Sequence, residues 1–210
     1  QVYISGHPLE EYVETLEKNI TRTTADFEVV DGETEPKVKD QERAVIGGMI
    51  TGRTVKATRT NNMMAFLTVE DLYGTVEVIV FPRDYEKYRT LLEEDTKVFI
   101  QGRVTVEEDK PAKLICSGVV PFDAVEKELW IQFSTRADYE EAEQTLFAIL
   151  GNYDGTENVY IYLSKDRARK LLPKSRCTKV CKELLSELYT KFGEDNVKVT
   201  EKSIEKKFRA

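Results

Sequence analysis

Residues 61–82 constrain this chain more than any other stretch. Ala65, Leu67 and Val69 fall on one face of an alternating run, with Met64, Phe66, Thr68 and Glu70 on the other. Leu72, Tyr73 and Gly74 then supply a turn. In a second run Val76, Val78 and Val80 share one face, opposite Glu77, Ile79 and Phe81. A period of two does not fit a helix. A one-residue slip in pairing would put every valine on the wrong side. The stretch therefore reads as an antiparallel hairpin with one buried face.

The neighbouring sequence supplies three more strands. Val45 to Val55 precedes the hairpin, with glycines at 47, 48 and 52. A short helical pattern from Asp84 to Leu92 follows it, then strands over Lys97 to Val106 and Lys113 to Phe122. Three strands, a helix and two strands suit a five-stranded OB barrel spanning 44–122. Gly47 and Gly48 permit the sharp coiling that closes so small a barrel. Tyr85, Tyr88, Leu91 and Leu92 group near one helix face, as a plug for the barrel end. Residues 107–111, between the last two strands, read as a polar hairpin tip.

The flanks differ from the barrel. Residues 1–43 combine a helical segment with an acidic connector. Pro8 suits a first helical position, and Leu9, Tyr12, Val13 and Leu16 recur at helical spacing. Gly6 and His7 read as a turn or cap rather than a catalytic pair, because no nucleophile or metal ligand stands near them in sequence. Residues 26–43 are acidic and poor in apolar side chains, with breakers at Asp31-Gly32 and Glu35-Pro36, so a solvated connector is expected. Residues 123–210 change character. A strand carrying Leu129, Ile131 and Phe133 leads to a helix from Asp138 to Leu150, stopped by Gly151. A strand over Asn158 to Leu163 follows, then a short hairpin turning at Pro173-Lys174. Thr178 is placed to cap a helix carrying Leu184, Leu185 and Leu188, ended by Gly193, and Val197 to Val199 closes with a strand. The fold class is β plus α+β: an OB barrel, preceded by a short helical segment and followed by a small α+β domain.

Composition excludes several classes. No apolar run approaches the roughly 18 residues a membrane helix needs, and nothing at the start resembles a signal peptide. Three cysteines make a poor disulfide framework. Cys177 and Cys181, four apart, are expected on one helix face as small apolar residues in a reducing cytoplasm. No metal set, nucleophile or general base clusters in sequence, so no cofactor and no enzymatic reaction are expected of this chain. The first residue is Gln and not Met, so a piece of a longer chain is expected.

Charge is unevenly placed. The net charge of −7 argues against a nucleic-acid partner. Residues 1–43 carry 5 basic and 11 acidic side chains, however, while 44–122 carry 10 and 11, and 123–210 carry 16 and 16. The acidity therefore sits ahead of the barrel. On the barrel, Phe66 is an aromatic on the outer face, with Arg53, Lys56 and Arg59 in the preceding strand and loop, and Asn61 and Asn62 at the loop tip. Thr68 shares the Phe66 face. A ring for base stacking beside cations for phosphates suits a single strand. Glu77 should share that face, and with Glu70 and Asp71 should repel phosphate, so binding is expected to be weak and salt-sensitive. Residues 165–182 hold eight basic side chains against one acidic, Asp166. Arg167, Arg169, Lys170, Lys174 and Arg176 there form a solvated rim or a docking surface, for an acidic protein or a phosphate backbone alike.

Three stretches together resemble one family. The segment Tyr3-Ile4-Ser5-Gly6-His7-Pro8-Leu9 looks like the one that precedes the OB domain in the alpha subunit of bacterial DNA polymerase III. Residues 64–71, with Gly74 and Val76-Glu77-Val78, resemble strands 2 and 3 of that OB domain, and the pattern ending Gly193-Glu194-Asp195-Asn196-Val197 is similar to its final domain. The resemblance implies the non-catalytic, cytoplasmic tail of a replicative polymerase, whose palm carboxylates, phosphoesterase-like domain and internal clamp motif lie upstream. It further implies an OB face on single-stranded template and, in some members, a last domain that holds the clamp-loader tau subunit. The barrel also resembles the anticodon-binding OB domain of class II aminoacyl-tRNA synthetases, in which Phe66 matches a base-stacking Phe and Glu77 replaces a base-reading Gln. A barrel serving only protein contacts remains a third reading.

Overall fold

The computed structural model describes residues 6–29, 35–108 and 110–209, which fall into two units. One runs through residue 124 and takes in 203–209; the other is Val125–Lys202. The last residues thus group with the barrel, not with the α+β unit they follow in sequence. Among them Ile204 is buried, and its N–H donates to Asn19 Oδ1 at 3.3 Å.

Strands β1 (Arg43–Ala57), β2 (Met63–Glu70), β3 (Thr75–Val80), β4 (Lys97–Thr105) and β5 (Lys113–Pro121) form a closed barrel in the order β1-β2-β3-β5-β4. The 15-residue β1 makes closure possible. Its first half pairs with β4 from Arg43↔Arg103 to Met49↔Lys97, and its second half with β2 from Met49↔Glu70 to Ala57↔Met63. Between these halves the backbone coils sharply. A Cβ on Gly48 would lie 2.4 Å from Glu70 O, so only glycine admits this crossing. The parallel pair Val78↔Leu114 and Ile79↔Ile115 closes the circuit.

Alternation fills the interior as the sequence predicts. Ala65, Leu67, Val69, Val76, Val78 and Val80 are all buried in one core with Ile46, Ile100 and Leu114. The expected plug is α2 (Pro82–Tyr88) with a 3₁₀ turn Arg89–Leu91; Leu92 is fully buried, and Tyr85, Tyr88 and Leu91 pack against the core.

The acidic connector departs from its expected solvated state. Phe27 and Val38 are buried in the barrel core, and Phe27 O accepts from Ala112 N–H at 2.8 Å. Two isolated apolar anchors have no period, so they leave no amphipathic signal. Residues 30–34 lie outside the described residues, as do Tyr3 to Ser5 of the first motif. Further upstream, α1 (Val13–Asn19) follows a 3₁₀ turn at Glu10–Tyr12, with Leu9 and Leu16 buried. His7 acts at the turn, as expected: its Nδ1 accepts from Leu9 N–H at 3.2 Å, and its Nε2 lies 3.3 Å from Glu70 Oε1.

In the second unit β6 (Lys127–Phe133), α3 (Arg136–Leu150) and β7 (Asn158–Leu163) make a parallel strand–helix–strand unit. Next come β8 (Ala168–Leu171), α4 (Lys182–Phe192) and β9 (Val197–Glu201), giving a sheet in the order β8-β7-β6-β9. Thr135 and Asp138 cap α3 reciprocally, and Leu129, Ile131, Leu146, Leu150 and Leu188 share the core.

Three expectations for this unit are corrected. The hairpin turns within 164–167, with Arg167 at φ +49, and not at Pro173-Lys174. Thr178 does not cap α4, which begins at Lys182; fully buried, it donates instead to Tyr153 O at 2.9 Å. Cys177 therefore precedes the helix and Cys181 caps it, so they do not stack on a helix face.

Candidate nucleic-acid interface

The outer face of β2 and β3 carries two of the residues singled out on the barrel, Phe66 and Thr68. Phe66 pairs with Thr54 on one side and Ile79 on the other, and Ile79 pairs with Ile115. Because Ala65 and Leu67 take the interior, the Phe66 ring must point outward, where it is half-buried. Lys56, opposite Met64, reaches over it with Nζ 5.1 Å from the ring centroid. Cation and ring are thus brought together as the sequence suggests. Thr68 is exposed two residues further along the same face.

Arg53 does not join this face. It pairs with Leu67, an inward residue, so its side chain turns toward the barrel end. There its Nη1 meets Glu93 at 2.7 Å and its Nη2 donates to the Tyr85 hydroxyl at 3.1 Å. It ties β1 to the plug. Arg59, Asn61 and Asn62 occupy the β1–β2 tip. Thr58 N–H donates to Asn62 O at 2.7 Å and Asn61 N–H to Thr58 O at 2.9 Å, with Asn61 at φ +62. The tip is therefore an ordered turn, and the Arg59 side chain has no ion pair among the described residues.

Of the three carboxylates expected to repel phosphate, Glu77 has a lysine partner on the face itself. Glu77 does share the face, opposite Thr68, but Lys113 Nζ sits 2.9 Å from its carboxylate. That hydrogen bond raises the Lys113 pKa, so the lysine holds its charge beside the carboxylate. Asp71 is buried. Its carboxylate accepts from Thr24 N–H at 2.8 Å and Thr24 hydroxyl at 2.6 Å, and from the Tyr73 and Gly74 amides at 2.7 and 3.1 Å. It clamps the β2–β3 turn to the preceding segment. Glu70 is met by His7.

Two grooves bound the face. At one end Thr68, Glu77, Lys110 and Lys113 line a groove of about 400 Å³ against the β4–β5 loop. At the other, Asn61 and Asn62 line one of about 430 Å³ against α2. Between Met63 and Thr68 the strand runs roughly 17 Å. An outward ring with a cation above it, between two polar grooves on a small closed barrel, can stack a base and hold flanking phosphates. Sequence reading missed Arg83 and Arg89, which line the second groove; two arginines six apart just after a strand ending in Phe81-Pro82 were the available signal.

In the second unit Lys170 Nζ lies 5.0 Å from the Tyr139 ring centroid and Arg176 4.2 Å from that of Phe147. Arg169 and Lys170 line a cleft of about 460 Å³ beside α3 with Arg136 and Glu143. Arg167 lies in the hairpin turn and Lys174 in a 3₁₀ turn, Lys174–Arg176. Among the described residues no cluster of His, Cys, Asp and Glu could hold a metal ion. Nor is any helix among them long and apolar enough to cross a membrane.

The closed five-stranded barrel is an OB fold. The family described as "OB-fold nucleic acid binding domain" matches residues 44–122. The wider resemblance also holds: the chain is similar to part of the alpha subunit of DNA polymerase III. It is 41% identical over 100 residues to that subunit from Aquifex aeolicus, covering 48% of this chain and 8% of that protein. With the Bacillus subtilis subunit it shares 26% over 200 residues, 93% of this chain and 17% of that protein. The chain thus spans less than a fifth of the length of these curated relatives. Among solved structures, asparaginyl-tRNA synthetase from Pyrococcus horikoshii aligns at a TM-score of 0.31 and 18% identity, over 39% of this chain and 20% of that one. So low a score carries no argument.

Proposed function

We propose that this chain is a non-catalytic part of a replicative polymerase alpha subunit, whose barrel holds single-stranded DNA in the cytoplasm. The observation that carries this reading is the outward Phe66 ring with Lys56 above it. Phe66 stacks on a base. Lys56 and Arg59 meet phosphates, Asn61 and Asn62 reach base edges or sugars from the loop tip, and Thr68 offers a hydroxyl. Arg53 ties β1 to the plug and does not meet the strand. In the second unit Arg167, Arg169, Lys170, Lys174 and Arg176 form a basic surface for a replisome partner, the clamp-loader tau subunit being the one the family resemblance implies.

Fluorescence anisotropy with labelled single-stranded DNA, duplex DNA and single-stranded RNA tests the barrel's part. Single-stranded DNA should bind best. With two or three phosphates neutralised, affinity should fall on the order of tenfold between about 50 and 200 mM salt. No binding to any probe at the lower salt would leave a barrel that makes protein contacts only. A preference for RNA would favour the anticodon-type reading.

A further inference from the structure

We infer that a bound strand does not stop at Phe66 but continues into the groove between the β1–β2 tip and α2, where Arg83 and Arg89 hold its phosphates. This rests on the reading of the barrel face as a single-strand site.

The groove follows from an overhang. β1 and β2 stay paired as far as Ala57↔Met63, whereas β3 joins β2 only from Val80↔Ala65. Two residues of β2 therefore project beyond the barrel, and the ordered tip projects further. Facing them is α2, which begins at Pro82, two residues after Val80. Asn61, Asn62 and Met63 form one wall, and Arg83, Glu86 and Arg89 line the other.

Three observations point to a polyanionic strand with exposed rings. First, Arg83 and Arg89 are exposed and have no ion pair among the described residues, unlike Arg53 of β1, which is held by Glu93. Glu86 is a single carboxylate against these two cations. They sit six residues apart, roughly 9 Å along a helix, so they can meet different phosphates. Second, Met63 and Phe81 are 44% and 45% exposed, unusual for such large apolar side chains. By alternation Phe81 lies on the outer face with Ile79, which pairs with Phe66. A base leaving Phe66 thus meets a second ring at the groove's mouth. Third, Asn61 and Asn62 bring amide donors and acceptors to the opposite wall, suited to base edges or sugars.

The experiment compares oligo-dT strands of about four and about twelve nucleotides, within the range of site sizes for one OB fold. The parent chain, Phe66→Ala and the double variant Arg83→Ala/Arg89→Ala are titrated by anisotropy. The double variant should bind the short strand as the parent does. It should bind the long strand about tenfold more weakly, with a salt slope shallower by about 1.4 for two lost phosphate contacts. Arg83→Lys/Arg89→Lys should restore most of the long-strand affinity. If Phe66→Ala weakens both strands but the double variant weakens neither, the groove is overturned and the barrel face stands. If the parent binds neither strand, the barrel-face reading falls and the groove falls with it.

Discussion

Replacing Asp71 with alanine should cost the barrel roughly 4 kcal/mol. The carboxylate accepts four hydrogen bonds, but they are not equivalent. The Tyr73 and Gly74 amides lie in a surface turn and can turn to water. Thr24 is fully buried, so its N–H and hydroxyl would lose their partners with no solvent to replace them. Each stranded donor costs about 1–3 kcal/mol, and two give roughly 2–6. Urea unfolding followed by far-UV circular dichroism measures the loss as a lower midpoint at unchanged slope. Asp71→Asn, which keeps one acceptor oxygen for the Thr24 hydroxyl, should lose less. A midpoint for the alanine variant equivalent to less than about 1 kcal/mol of loss would refute the clamp, and Asp71 would have to be reconsidered as a ligand-facing group.

Other expectations follow from single contacts. Arg53→Ala should leave oligonucleotide affinity within about twofold while lowering stability by about 1 kcal/mol, because its partners are Glu93 and Tyr85 and not DNA; anisotropy and urea titration separate the two. Burial pushes the Cys116 thiol up to about 12, so in the native protein a thiol reagent should label Cys177 and Cys181 but not Cys116. The unfolded thiol loses its proton near pH 8.5 while the folded one retains it, so this group's stabilisation is complete below that pH. It is then lost at about 1.4 kcal/mol per unit up to about pH 12. Thr178→Val should destabilise the second unit by about 1 kcal/mol, since the buried hydroxyl's bond to Tyr153 O is lost while that carbonyl keeps the Lys179 N–H; the fluorescence of Trp130, the chain's single tryptophan, reports on that unit during urea unfolding.

The barrel was legible because it rests on a short-range period. Val76, Val78 and Val80 declare their face within five residues, and Gly48 declares a close crossing. Phe66 was legible for the same reason, since a face once assigned to Ala65 and Leu67 leaves the ring outside. What sequence hid was long-range pairing. Arg53 looked like a free cation until Glu93 and Tyr85, 40 and 32 residues away, were placed beside it. Glu77 looked repulsive until Lys113 arrived from β5. Asp71 looked like a further repulsive carboxylate, and it is buried with half of its bonds running to Thr24. In the second unit Thr178 had the right side chain for a cap, yet its hydroxyl found two carbonyls in a buried loop, and α4 started four residues later.

The claim that most depends on the Phe66 ring is tested by removing it. Phe66→Ala, with Phe66→Tyr as the ring-bearing control, should be titrated against a single-stranded oligonucleotide at about 50 mM salt. Stacking worth about 1–3 kcal/mol predicts a loss of roughly fivefold to more than a hundredfold for alanine, with tyrosine close to the parent. A folded alanine variant that binds as tightly as the parent would contradict the assignment of this face to the strand.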